Sequence, residues 1–239
     1  QGIYYDPSRP SDLEDMLRAR RTLRPAQTRR AERLIASLVG NALSKYNLGG
    51  ALPALPAGPL VLVVGQVEDD ESIRLGAGEI STNAALLEAA RTAHPDATLI
   101  YKPHPDVEAG LRTGAIDASG IADVVATQAD ITALLGAVDT VWTMTSLAGF
   151  EALMRGVHVV TTGAPVYAGW GLTEDRGSVP PRRREDVSLA GLVHATLIDY
   201  PRYFDPITRT ACPVEVIVDR LASGALPRPG DANRTLSKL

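Results

Sequence analysis

The chain has a single cysteine, Cys212, among its 239 residues. An internal disulfide is therefore excluded, and a reducing compartment fits. Histidine is scarce as well. With four scattered histidines and no cysteine cluster, a structural zinc site is not expected. Positive charge is not in excess. A formal net charge of −4 lacks the basic footprint of non-specific nucleic-acid binding, so no nucleic-acid partner is expected. Long hydrophobic runs are missing, and stretches such as Gly58 to Gly65 are far too short to span a bilayer. No stretch reads as a signal peptide. The chain opens with Gln1 rather than Met, as expected of a processed product, a trimmed chain or a fragment.

What is present falls into two textures. Ile3-Tyr4-Tyr5 reads as a short strand. A helix starts after Ser11, where Glu14 three residues later completes a capping box. Residues 25 to 44 read as a second helix with Leu34, Ile35, Leu38 and Val39 on one face. Gly49 to Pro59 is rich in Gly, Pro and Ala without periodicity, which suits a linker and a domain boundary. From residue 53 apolar strands alternate with amphipathic helices: "PLVLVVGQ", "EISTNAALLEAARTAH", "ATLIYKPHP", "DVEAGLRTG", "IADVVAT", "DITALLGA", "DTVWTMT", "SLAGFEALMRG", "VHVVTTG". That alternation predicts βαβ units in a Rossmann-like, doubly wound parallel sheet covered on both faces. Late helices around 188 to 198 and 213 to 222 close it. The expected division is a helical region over 1–52, the α/β domain over 53–225 and a frayed tail over 226–239. Two basic runs stand apart, Arg18 to Arg33 with seven arginines and Arg182 to Arg184. They read either as solvated faces or as a surface drawn to anionic membrane.

Ligands of doubly wound sheets bind beyond the carboxyl ends of the strands. This directs attention to Gly65–Ser72, Lys102–Asp106, Thr143–Ser146 and Gly163–Asp175. In "VVGQVEDDESI" a buried strand runs into Glu68, Asp69 and Asp70, a cluster that suits a metal, a general base, a nucleophile or simply an exposed acidic loop. No glycine-rich dinucleotide fingerprint follows it. In "YKPHPDV" Pro105 restricts His104 to extended backbone, so an imidazole is held at a strand end beside Lys102. Both side chains can bind phosphate, and the imidazole can protonate a leaving phosphate; the alternative is a histidine that merely packs. In "TMTSLAGFEALMRG" Thr145 and Ser146 begin a helix, where N–H groups and hydroxyls suit an anion. Gly149 admits a close neighbour, and Glu151 is placed to take ribose hydroxyls or to serve the helix dipole. The loop "GAPVYAGWGLTEDRG" carries Trp170 and suits a ligand cover or a packing loop. "SKYNLGG" carries Lys45 and Asn47, two candidate donor-site residues; a lysine there can meet a substrate carboxylate across the cleft, or simply end a helix.

Taken together, "GIYYDPSRPSDLE", "KYNLG", "VLVVGQVEDDESI", "STNAALL", "YKPHPDVEAGLR", "TMTSLAGFEALMRG" and "YAGWGLTEDR" resemble the capsular polysaccharide β-Kdo transferases of the KpsC/LipB type. The likeness runs in order from about Gly2 to about Asp219. The acidic "GQVEDDESI" version is more similar to the second of the two catalytic modules of such proteins. The resemblance implies a GT-B-type glycosyltransferase that moves Kdo from CMP-Kdo, with retention, to a lipid-linked Kdo acceptor in capsule linker synthesis. It implies no metal and no cofactor, a cytoplasmic location at the inner face of the bacterial inner membrane, and possible peripheral contact with that membrane. By the same resemblance Asp70 is the nucleophile, followed by Glu68. His104 and Lys102 meet the donor phosphate, and Thr145 and Ser146 cap it. Glu151 faces the ribose or cytidine, and Gln66 and Ser72 belong to the donor site. Family modules carry a further segment ahead of "GIYYD", so residues 1–52 resemble the remnant of an acceptor-side domain. Two other readings stand beside this one. One is a transferase for another CMP-linked group, sialic acid or glycerol phosphate; the other is a non-catalytic nucleotide-binding half-module.

Overall fold

A computed structural model describes residues 1–45 and 50–225 of the chain. Asn47 and the tail 226–239 lie outside the described residues. Two helices come first, α1 (Asp12–Ala19) and α2 (Pro25–Gly40). The elements then alternate: β1 (Leu60–Val64), α3 (Glu71–Gly76), α4 (Asn83–Ala93), β2 (Thr98–Lys102), α5 (Pro105–Glu108), β3 (Val124–Val125), α6 (Ile131–Leu135), β4 (Thr140–Thr143), α7 (Leu147–Met154), β5 (His158–Thr161) and β6 (Glu174–Asp175). A helix α8 (Leu189–Val193) runs on as a π-helical segment (His194–Asp199). A hairpin of β7 (Tyr203–Asp205) and β8 (Thr210–Cys212) and the helix α9 (Val214–Ala222) complete the described fold.

The six-stranded sheet has the order β3-β2-β1-β4-β5-β6, and every pairing in it is parallel. This is the doubly wound arrangement, with the chain reversing direction of growth between β1 and β4. All five residues of β1 are buried. Alternation along the strand divides them: Leu60, Leu62 and Val64 join one core layer, and Val61 and Val63 the other. The second layer is covered by α4 through Leu86, Leu87 and Ala90. The first is covered by α7 and α8, and also by α1 and α2 through Leu13, Leu17, Ala31 and Leu34. Burying Leu17 and Leu34 stabilises by roughly 1.5–3 kcal/mol each. The amino-terminal helices are thus packed into the same core as the sheet.

The capping box at α1 forms as expected, with Glu14 N–H donating to Ser11 and the Glu14 carboxylate accepting from Ser11 N–H. Ile3–Tyr5 is not a strand. It forms a turn, with one isolated bridge from Gly2 to Ser11. Pro7 and Pro10 remove donors from the neighbouring segment, and Tyr4 instead packs edge-to-face on Tyr200. The second helix stops at Gly40, short of residue 44. Ala42 takes a left-handed φ of 48°, and the N–H groups of Ala42 and Leu43 bond back to Val39 and Leu38. This is a Schellman-type stop. The acidic segment holds a short helix, α3, that apolar patterning did not show. Two strand residues at 174–175 add an edge to the sheet.

Candidate active site

Four segments meet beyond the carboxyl ends of β1, β2 and β4, and they enclose a cleft of about 480 Å³. Gln66, Asp70, Ser72, Lys102, His104, Thr145, Ser146, Glu151 and Lys45 all line it. Tyr4, Tyr5 and Arg112 line it as well, although no local pattern around them points to a role.

Asp70 is the N-cap of α3. Its Oδ1 accepts from Ser72 N–H at 2.9 Å and from the Ser72 hydroxyl at 2.7 Å. Both bonds fall on one oxygen, which fixes the plane of the carboxylate and leaves Oδ2 with no hydrogen bond to another described residue. Burial pushes this carboxyl up, but the Ser72 bonds and the charges of Arg112 and Lys45 outweigh burial and hold it below the usual range. It is an anion at neutral pH, as a nucleophile must be.

Gln66 acts as a staple between strands. Its Oε1 accepts from Thr143 Oγ1 (3.0 Å), Met144 N–H (3.1 Å) and Thr145 N–H (2.9 Å), and its Nε2 donates to Thr145 Oγ1 (2.9 Å). Thr145 Oγ1 in turn donates to Ser72 Oγ at 3.4 Å. A line of hydroxyl and amide contacts therefore runs from Gln66 to Asp70. Asn83, which the sequence did not single out, fixes the backbone of Gln66. Its Oδ1 accepts from Gln66 N–H and its Nδ2 donates to the carbonyls of Gln66 and Gly114, each at 2.8 Å. The only hint in the sequence was an Asn at the first helical position after a Thr cap, where no cap needs it.

His104 caps α5, with its Nδ1 accepting from Asp106 N–H at 3.1 Å. In the neutral ring the proton is then on Nε2, which makes that atom a donor. Lys102 is buried and paired with Glu108 at 3.1 Å. Ser146 caps α7, accepting from Ala148 N–H. Gly149, in the first turn of that helix, admits Tyr167. A Cβ there would lie 2.3 Å from the Tyr167 hydroxyl oxygen, which donates to the Ser146 carbonyl. Glu151 is 8% exposed. Its Oε1 accepts from Ser44 Oγ and Lys45 N–H, delivered by the stop of α2, while Oε2 is buried with no partner among the described residues. Burial pushes its carboxyl up, against the lowering effect of those two bonds.

Two expected site residues are elsewhere. Glu68 does not line the cleft; its Oε1 accepts from Asn83 N–H at 2.7 Å, at the start of α4. Trp170 is fully buried in the core, with its indole N–H on the Val166 carbonyl. The loop carrying it reaches the cleft instead through Ala164 to Tyr167. That loop is tied to α1 by a buried ion cluster. Arg183 donates to Glu14 and to the carbonyls of Ala164 and Pro165, and Arg182 joins Glu14 at 2.9 Å. Among the described residues no group of three or more His, Cys, Asp or Glu is placed to hold a metal ion. No helix among them is long and apolar enough to cross a membrane.

Residues 53–203 match the family model described as capsule polysaccharide biosynthesis protein. The chain belongs to this family. Among curated relatives, capsule polysaccharide modification protein LipA of Neisseria meningitidis serogroup B is 44% identical over 218 residues, 89% of this chain and 31% of LipA. The chain thus spans about a third of the length of that relative. Two solved structures of Thermosulfurimonas dismutans KpsC are also similar. The β-Kdo 2,7 transferase is 35% identical, with a TM-score of 0.80 over 94% of this chain and 70% of that one. The β-Kdo 2,4 transferase is 33% identical, with a TM-score of 0.82 over 92% and 70%. The Rossmann-like sheet of this capsule-family chain is of the GT-B glycosyltransferase type, as its motifs implied.

Proposed function

We propose that the chain is a retaining β-Kdo transferase module that uses CMP-Kdo as donor. The observation that carries this is the shared cleft. An ionised carboxylate, Asp70, an imidazole, His104, and the Ser146-capped end of α7 all line it, in a chain similar to Kdo transferases. In the first step Asp70 Oδ2 bonds to the anomeric carbon as the bond from that carbon to the phosphate oxygen breaks. CMP departs with the electron pair. His104 Nε2–H and the N–H groups of α7 take up the charge of the leaving phosphate. Lys102 adds a cation one strand away, already shared with Glu108. The unpartnered Oε2 of Glu151 suits a ribose hydroxyl. In the second step the acceptor hydroxyl oxygen bonds to the anomeric carbon, its proton passes to water, and Asp70 leaves as a carboxylate. Two inversions give retention. The acceptor of this reading is a lipid-linked Kdo, met at the cytoplasmic face of the inner membrane.

Intact-protein mass spectrometry after incubation with CMP-Kdo generated in situ tests this. A gain of one Kdo unit on the native chain, absent from Asp70→Asn, is expected. Near-native transfer by Asp70→Asn would remove Asp70 from the role. A non-catalytic nucleotide-binding half-module is the second reading. It requires CMP binding with no adduct at any donor concentration. Adducts formed equally from another CMP-linked sugar acid would favour the broader CMP-transferase reading.

A further inference from the structure

Beyond helping to keep Asp70 ionised, Arg112 has no part in the chemistry above, yet it pairs directly with the acidic loop. Its Nη2 and Nε donate to Asp69 Oδ1 at 2.9 and 3.3 Å, which leaves Nη1 with no hydrogen bond to another described residue. Its side chain is one-third exposed and lines the cleft. The backbone that carries it is fixed on two sides. Leu111 and Arg112 N–H donate to the Asp106 carbonyl, next to His104, and Glu68 N–H donates to the Thr113 carbonyl. Asn83 holds the Gly114 carbonyl, and Gly114 takes a φ of +123° that few other residues adopt. The guanidinium is thus held between the loop of Asp70 and the loop of His104. Lys45, the other cation that acts on Asp70, comes from the opposite wall, where its backbone N–H is on Glu151.

We propose that Arg112 recognises the carboxylate borne by the anomeric carbon of the donor, and so selects 2-keto-acid sugars over neutral ones. This rests on the proposed function. When Asp70 becomes an ester it loses its negative charge, and Arg112 loses part of the field that faces it. A sugar carboxylate on the same carbon arrives with the donor and stays when the ester forms. It keeps a second anion near the guanidinium after Asp70 is neutralised. With a neutral sugar Asp69 alone would be paired with Arg112 at that stage. The planar fork of arginine suits a carboxylate better than the point charge of lysine.

The test measures equilibrium affinity of the full chain for CMP and for CMP-Kdo by calorimetry or competition, without acceptor and in an Asp70→Asn background that cannot form the ester. CMP lacks the carboxylate, so it reports on the rest of the site. Arg112→Gln is expected to weaken CMP-Kdo by about 10- to 100-fold and to leave CMP within about twofold. Arg112→Lys should recover only part of the loss. Asp69→Asn removes the ion pair that holds Arg112 to the acidic loop but keeps the guanidinium, and is expected to keep the preference for CMP-Kdo. The inference is overturned if Arg112→Gln weakens both ligands alike or neither, or if Asp69→Asn reproduces Arg112→Gln. If the Asp70→Asn chain with Arg112 intact does not prefer CMP-Kdo to CMP, the donor reading and this inference fall together. If the preference is present, is lost in Arg112→Gln, and no Asp70 adduct forms, the covalent mechanism fails while Arg112 keeps its role.

Discussion

Replacing Gln66 by methionine keeps the volume of the side chain and deletes all of its hydrogen bonding. Gln66 is 6% exposed. The substitution strands the N–H groups of Met144 and Thr145 and the hydroxyl hydrogen of Thr143, three donors that now converge on one oxygen. A buried donor left without a partner costs about 1–3 kcal/mol. The cleft adjoins this end of β4, so water can reach part of the array and the low end of that range applies. Three donors then give a loss of about 3 kcal/mol, or a fall in Tm of roughly 6–12 °C for a chain of this size. Gln66→Glu keeps the acceptor oxygen and loses only the bond to Thr145, so its loss should be about a third as large. Calorimetric melting and urea unfolding of the two variants measure this. A methionine variant that melts within about 2 °C of the native chain would overturn this prediction. It would mean that the β4–α7 turn holds itself, without the staple. If the proposed function holds, the same variant should also lose transfer, because the line of contacts from Gln66 through Thr145 to Ser72 orients Asp70.

The remaining predictions concern residues that support the walls of the cleft from behind. Burial pushes the Glu14 carboxyl up, but the hydrogen bonds from Arg182 and Arg183 prevail and its folded-state pKa is lowered. A depressed carboxylate contributes stability that is present above its unfolded value, 4.5, and is lost as pH falls through its folded one. Acidification from about pH 5 to pH 3 should therefore destabilise the native chain more than Glu14→Gln, as read from urea midpoints. Equal losses in the two would detach Glu14 from acid sensitivity. Gly149→Ala improves helix propensity by about 1 kcal/mol but puts a methyl 2.3 Å from the Tyr167 hydroxyl, so a net loss of about 1–3 kcal/mol is expected. Tyr167→Phe in the same chain should restore part of it, although the ring carbon at 2.9 Å remains in the way.

The site was legible where chemistry and backbone signals coincide. Pro105 marked His104 as a strand-end residue, and Ser146 reads as a helix cap in any context. Glu68, Asp69 and Asp70 were not separable by type. Only the start of α3 decides that Asp70 is bonded to Ser72, that Asp69 pairs with Arg112, and that Glu68 supports α4. Trp170 looked like a ligand cover because aromatic residues among glycines often are. Its burial depends on the Val166 carbonyl and the core layer beside it, which no local pattern encodes. Arg112 and Asn83 were missed for the same reason. Their partners lie 43 and 17 residues away in the chain.

The order of apolar strands and amphipathic helices, with turn residues between them, was enough by itself to determine a doubly wound parallel sheet and the edge of it where a ligand would bind. Periodicity and capping act within a few residues, so they are complete in the sequence. Tertiary structure alone decided which carboxylate is oriented, which tryptophan is core, and which cation stands beside the acidic loop. It also decided that α1 and α2 share the core of the sheet. Those outcomes depend on hydrogen bonds and packing between segments far apart in the chain, and their geometry exists only once the layers have closed.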